Sequence, residues 1–200
     1  MNHLLIVFDS VCYDIFKLAD LRYIKGDIQK VQAQARWTLP SIMAILYAPY
    51  YIDAPLVTEP EYDIHKWLPS YLQEKGYNTA LISDNPWFEI GMTYISQGFD
   101  AYVIIRKLGS TNKIFEFAKY CMIPPFFTLL WFTATHRPFF YEYVPRDRPE
   151  YAHQTEEKVR ALEFMDEKIG EFLPLVPPDT EVVITSDMES FLRRADYREY

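Results

Sequence analysis

This chain is poor in the features that mark several familiar protein classes. It has only two cysteines, Cys12 and Cys121. Two are too few for a disulfide framework, and they point to a reducing compartment. It has no Lys/Arg cluster long enough to track a phosphate backbone, and its formal net charge is −8. That argues against a general nucleic-acid binder. It also lacks an apolar run of the ~20 residues that a membrane-spanning helix requires. The longest such stretch, residues 122–134, carries Pro124 and Pro125. The N-terminal apolar run is shorter, is interrupted by Asp9, and does not have the form of a signal peptide. No Gly-rich phosphate loop follows it, which weighs against an unrelated doubly wound nucleotide-binding domain. No internal repeat or low-complexity segment is visible. The expectation is a soluble, cytoplasmic protein with no nucleic-acid partner and no membrane span.

What is present is a globular composition. Of 200 residues, 50% are hydrophobic and 24% charged, enough for one domain with its own core over residues 1–200. Aromatics reach 17%, with 16 Tyr and 14 Phe, which favours a thick core and an apolar groove or partner surface.

The organising stretch is Leu4-Leu5-Ile6-Val7-Phe8-Asp9-Ser10. A run apolar on both faces and ending in a carboxylate reads as a central parallel strand. In open α/β sheets the working residues sit just past the carboxyl ends of such strands, where Asp9 falls. Val182-Val183-Ile184-Thr185-Ser186-Asp187 repeats the pattern and reads as a second buried strand. Two carboxylates on one rim repel each other unless a cation lies between them, which suggests a metal site.

Between these runs, strands alternate with helices. Residues 11–21 have near-helical apolar spacing, with Asp14 in the first turn. Pro40 suits the first turn of a helix, so Thr38 falls at or just before a helix start. Local sequence favours Thr38 as an N-cap; the sharper reading is a nucleophilic or metal-binding hydroxyl at a positive helix end. Residues 48–61 read as a loop. A helix follows over residues 65–75, closed by Gly76. Strands are expected at 78–82, 101–105 and 126–132, and helices at 112–120 and 155–172, the last capped by Thr155. Residues 83–88 and 133–138 are rim loops, and 141–153 is a polar, aromatic loop. The expected fold class is α/β, a three-layer α/β/α sandwich with a mostly parallel sheet.

The order of these rim elements resembles the sulfatase branch of the alkaline phosphatase superfamily. Four segments carry the resemblance. Residues 4–14 (LLIVFDSVCYD) look like its opening strand. Thr38-Leu39-Pro40-Ser41 falls where the family has its nucleophile followed by x-Pro-Ser. Residues 76–86 (GYNTALISDNP), with the later Gly98-Phe99-Asp100, are similar to a segment of many bacterial members. Thr185-Ser186-Asp187, after the helix with Met165-Asp166-Glu167-Lys168-Ile169-Gly170, matches the approach to the second metal-binding strand.

The resemblance implies an alkaline-phosphatase-like fold and a metal-dependent hydrolase or transferase acting on a phosphate or sulfate ester. Asp9, Thr38 and Asp187 would hold one divalent cation (Mn, Mg, Ca or Zn), and Thr38 would attack the phosphorus or sulfur centre. Asn85 would donate to a non-bridging oxygen of an anionic small-molecule ester. His136 would bind substrate or protonate the leaving group, and Arg137 would add positive charge. Thr38, in place of the cysteine that sulfatases convert to formylglycine, favours phosphate esters.

The sequence also departs from the pattern. Ile42 stands where the family has Arg after Ser41. Ser10 stands where some members carry a second Asp. Asp187 is followed by Met188 and Glu189 rather than His-Gly or Asn-Gly, and a thioether suits a hard cation poorly. Glu189 is a candidate substitute ligand. The usual C-terminal part is absent, so a homo-oligomer or partner chain completing the site is one expectation. His65 and His153 read as ordinary surface residues, Cys12 as a buried thiol, and residues 192–198 as a solvated basic face. The competing reading is a catalytically degenerate member of the fold that serves as a binding or scaffolding module.

Overall fold

Residues 4–8 are apolar on both faces because both faces of their strand are covered. In the computed structural model this strand, β1 (Asn2–Phe8), lies inside a five-stranded sheet. The structure describes residues 1–26, 28–31, 33, 38–47, 67–89, 94–136 and 154–187. The other elements are α1 (Tyr13–Leu18), α2 (Thr38–Leu46), α3 (Leu68–Glu74), β2 (Asn78–Ser83), β3 (Ala101–Ile104), α4 (Thr111–Cys121), β4 (Phe126–Phe132), α5 (Gln154–Phe172) and β5 (Thr180–Ser186). The strand order is β3-β2-β4-β1-β5, and every pairing is parallel.

Parallel neighbours need long crossovers, and here helices make them, so both sheet faces are buried. Side chains alternate along β1. Leu4, Ile6 and Phe8 pack with Ile15 of α1, Ile114 of α4, and Leu162, Met165 and Ile169 of α5. Val7 faces the other way, with Ile42, Met43 and Leu46 of α2 and with Trp67, Leu81 and Trp131. The result is a three-layer α/β/α sandwich, as expected. Removing a fully buried side chain such as Ile6 to Ala would cost roughly 2–5 kcal/mol.

The structure corrects several sequence expectations. β5 is an edge strand among the described residues, not a second doubly buried one; its residues alternate in exposure, and Val183 is 48% exposed. Helix α1 ends at Leu18 rather than residue 21, because the chain turns away to bind α5. Helix α5 starts at Gln154, so Thr155 lies inside its first turn rather than at the cap. Helix α3 begins at Leu68 after Trp67, with Pro69 in its first turn. Gly76, at φ +84°, ends α3 as predicted: its N–H donates to Gln73 O and that of Tyr77 to Leu72 O. This is the left-handed helix stop that glycine accommodates without a Cβ penalty. The expected loops at 48–61 and 141–153, His65, His153, Arg137, Met188, Glu189 and the basic stretch 192–198 lie outside the described residues. No helix among the described residues is long and apolar enough to cross a membrane.

Asp166 of α5 fastens the segment after α1. Its buried carboxylate accepts the backbone N–H groups of Arg22 (2.7 Å), Tyr23 (3.0 Å) and Ile24 (2.6 Å). One turn on, Gly170 lets the Tyr23 ring lie against the helix; a Cβ there would come within 2.3 Å of the ring. Both residues belong to the Met165–Gly170 motif, so that part of the motif is structural. Asp166→Ala would strand three N–H groups and is expected to lower unfolding stability by about 3 kcal/mol in urea titration. A change below about 0.5 kcal/mol would show that the segment is held by other means.

Candidate active site

Asp9 follows β1 and Asp187 follows β5. The parallel register, with Phe8 opposite Ser186, sets them side by side on the carboxyl rim of the sheet. Both are buried, Asp9 at 2% exposure and Asp187 at 1%. Ser10 lies between them with φ +65°, a left-handed conformation that L side chains adopt at a cost of ~1 kcal/mol or more. In that turn its N–H donates to Asp187 Oδ1 at 2.8 Å, and its hydroxyl donates to Asp9 Oδ1 at 2.9 Å. The turn is held from behind. Thr135 Oγ1 donates to Asp9 O at 2.7 Å, Lys158 Nζ donates to Ser10 O at 2.9 Å, and Val11 N–H donates to Ser186 Oγ at 3.0 Å.

Thr38 is the first residue of α2, and its hydroxyl donates to Asp187 Oδ2 at 2.8 Å across a separation of 149 residues. The observed bond ties this hydroxyl to the carboxylate pair. Asn85 arrives from the end of β2. It caps a short 3-10 turn, Pro86–Phe88, by accepting Trp87 N–H, and its Nδ2 donates to Asp9 Oδ2 at 3.1 Å. One amide N–H is therefore committed to Asp9 rather than aimed at a substrate. Asp84, next in line, accepts Thr133 N–H and Ser110 N–H; it braces the exit of β4 and the start of α4, and burial raises its pKa. His136 is exposed on the loop after β4, where its N–H donates to Thr133 O. Asp9, Thr38, Asn85, Pro86, Trp87, Leu108, Thr133 and His136 line a cleft of about 150 Å³. A larger, more open depression of about 530 Å³ lies at the opposite end of the sheet, around Met1, Pro178 and Thr180, away from these residues.

The electrostatics follow from burial. Burial raises the pKa of Asp9, offset in part by nearby His136 and by the hydrogen bonds from Ser10 and Asn85. Asp187 is pushed up to about 7, first by burial and then by the charge of Asp9, against the bonds from Ser10 and Thr38. Two buried carboxylates short of positive charge can be relieved by a proton or a cation. Their oxygens and the Thr38 hydroxyl form an all-oxygen donor set, which suits a hard divalent cation. Among the described residues, no group of three or more His, Cys, Asp or Glu side chains is placed to hold a metal ion.

Of the residues expected from sequence, Asp9, Asp187, Thr38, Asn85 and His136 are brought to one rim. Arg137 lies outside the described residues. Sequence reasoning missed Lys158 and Thr135. Lys158 did carry a signal: it lies four residues before Leu162 and seven before Met165, on the apolar stripe of α5, where a lysine is unusual.

No protein-family model matches this sequence, and no curated protein does either. Solved structures do. A protein in the alkaline phosphatase superfamily from Vibrio parahaemolyticus superposes with a TM-score of 0.67 at 17% identity, covering 98% of this chain and 56% of that one. The lipoteichoic acid synthase LtaP from Listeria monocytogenes gives 0.56 at 15%, covering 93% of this chain and 55% of its own. The C-terminal periplasmic domain of EcEptC from Escherichia coli, in complex with Zn, gives 0.51 at 13%, with 93% and 63% covered. The chain thus spans little more than half the length of these structures.

A titration follows from the carboxylate pair. A raised Asp187 pKa means that the folded state binds a proton more tightly than the unfolded chain, whose Asp pKa is about 4. The contribution of Asp187 to stability in chelator should therefore be fully present below pH 4, be lost as pH rises through about 7, and level off above it. Asp187→Asn should remove much of this fall and raise stability at pH 8 by on the order of 2 kcal/mol, read by thermal unfolding across pH. An unchanged pH profile in that variant would contradict the assignment. At the level of fold, the likeness first read from four short segments holds over nearly the whole chain: its fold is that of the alkaline phosphatase superfamily.

Proposed function

We propose that this chain carries the nucleophile-bearing part of a metal-dependent hydrolase or transferase for phosphate or sulfate esters, with phosphate esters preferred. The observation that carries this reading is the bond from Thr38 Oγ1 to Asp187 Oδ2, made beside Asp9 at the mouth of a cleft. A hydroxyl at the start of a helix, hydrogen-bonded to a carboxylate, has a proton acceptor already in contact. The Thr38 oxygen would attack phosphorus as its proton passes toward Asp187, and the ester P–O bond would break. His136, which lines the same cleft, would give the departing alkoxide a proton, and Asn85 would steady Asp9 and offer its second N–H to the substrate oxygens. Arg137 would add charge for the anionic group. Water or an acceptor alcohol would then take the phosphoryl group from Thr38.

Asp9, Asp187 and Thr38 would hold the divalent cation. Its contribution when bound would be to lower the hydroxyl's pKa and neutralise charge on the substrate oxygens. EcEptC was solved in complex with Zn, which supports a cation on this fold. A second reading is a binding module that keeps the sheet without the chemistry. It is favoured by the donor set, which has only two carboxylates among the described residues.

The test uses Mn²⁺ with bis(p-nitrophenyl) phosphate and p-nitrophenyl sulfate. Mn²⁺ binding measured by calorimetry should vanish in Asp9→Ala. Phosphodiester cleavage should fall at least ~10³-fold in Thr38→Ala and survive in part in Thr38→Ser. Mass spectrometry after rapid quench should find phosphate on Thr38. A folded wild-type chain that neither binds Mn²⁺ nor turns over either ester would favour the binding module.

A further inference from the structure

Lys158 is unaccounted for by the reaction just described, yet it is built into the site's support. It sits on the apolar stripe of α5, is 7% exposed, and places Nζ 2.9 Å from Ser10 O. Holding a lysine there costs both desolvation and side-chain freedom. What it holds is the strained residue of the rim. Ser10 is the one non-glycine residue with positive φ among the described residues. All its polar groups are engaged: N–H to Asp187, hydroxyl to Asp9 and carbonyl to Lys158. A left-handed serine persists only where its surroundings over-determine it. If the carbonyl bond is lost, the turn can relax, and the two carboxylates lose the donor that fixes their spacing.

We propose that Lys158 is a positioning residue: through Ser10 it holds Asp9 and Asp187 in the arrangement that a divalent cation requires. This rests on the cation-dependent reading above but does not depend on turnover. The sign of the effect distinguishes positioning from simple charge. A lysine beside a cation site repels the cation, so if it acted by charge alone its removal would tighten metal binding. If it positions the ligands, its removal weakens binding in spite of the lost repulsion.

The experiment compares the wild-type chain with Lys158→Met and Lys158→Arg. Folding is checked by circular dichroism, Mn²⁺ affinity by calorimetry, and exchange of the Ser10 amide by NMR in the metal-free protein. Lys158→Met should bind Mn²⁺ ~10–100-fold more weakly, and Lys158→Arg, which can still donate to the carbonyl, should recover most of the loss. Exchange of the Ser10 amide should rise about tenfold or more in Lys158→Met, while the β1 amides keep their protection. If Lys158→Met does not fold, Lys158→Gln is measured against the same criteria. Affinity equal to or tighter than wild type in a folded neutral variant would overturn the proposal. If the wild-type chain itself binds no Mn²⁺, the ester-cleaving reading fails. The cation part of this proposal falls with it; faster Ser10 exchange then upholds the hold of Lys158 on the Ser10 turn, and unchanged exchange ends that as well.

Discussion

Two buried carboxylates held within reach of one serine are the constraint on which the rest of this rim depends. Left to themselves, Asp9 and Asp187 would repel each other, and burial would keep a proton on one of them. The structure answers with donors rather than distance. Ser10 supplies two, Asn85 one and Thr38 one, and all four bonds come from residues that some other element fixes in place. Ser10 is pinned by α5 through Lys158, Asn85 by its own capping of the turn after β2, and Thr38 by its place at the head of α2. The site is thus a product of both helical layers as well as the sheet.

The arrangement also explains why so much of the surrounding polar machinery is structural. Asp84 stands one residue before Asn85 and is as buried as Asp187, but its oxygens are committed to the backbone N–H groups of Thr133 and Ser110. Asp166 is likewise spent on the segment after α1. An acidic residue in a motif can therefore serve the fold or the chemistry. The difference lies in what it accepts from: backbone N–H groups of loops that need anchoring, or side chains that open onto a cleft. Only Asp9 of the buried acids described lines the 150 Å³ cleft directly, and Asp187 reaches it through Thr38.

The fold places these groups for a simple geometric reason. In an all-parallel sheet every carboxyl end is on the same rim, so the loops after β1, β2, β4 and β5 converge without further design. β1 is interior because β4 pairs on one side and β5 on the other, and the place of β4 between β1 and β2 brings residues 9, 85, 133 and 136 within one neighbourhood. Among the described residues β5 has one neighbouring strand, β1, and Ser10 and Thr38 add further order at Asp187 through their hydrogen bonds.

Much of this was legible in the residues themselves. The apolar run ending in Asp9, the helix-period stripe of α5, Pro40 behind Thr38 and Gly76 after α3 are local signals, and local physics decides them: strand burial, amphipathic spacing, the missing proline N–H and the left-handed helix stop. The edge character of β5 was not legible, because Val182–Ile184 is as apolar as a buried strand and only its neighbours determine what covers it. Nor could sequence choose between Thr38 as a helix cap and Thr38 as a partner of a carboxylate 149 residues away. Lys158 stood out in sequence only as a lysine on the apolar stripe of α5, and its partner, Ser10 O, became visible once α5 was laid beside the rim. Sequence by itself determined which residues could carry charge to the rim and which elements would deliver them. The tertiary structure decided which of those charges meet, because desolvation and hydrogen-bond geometry depend on what the rest of the chain brings alongside.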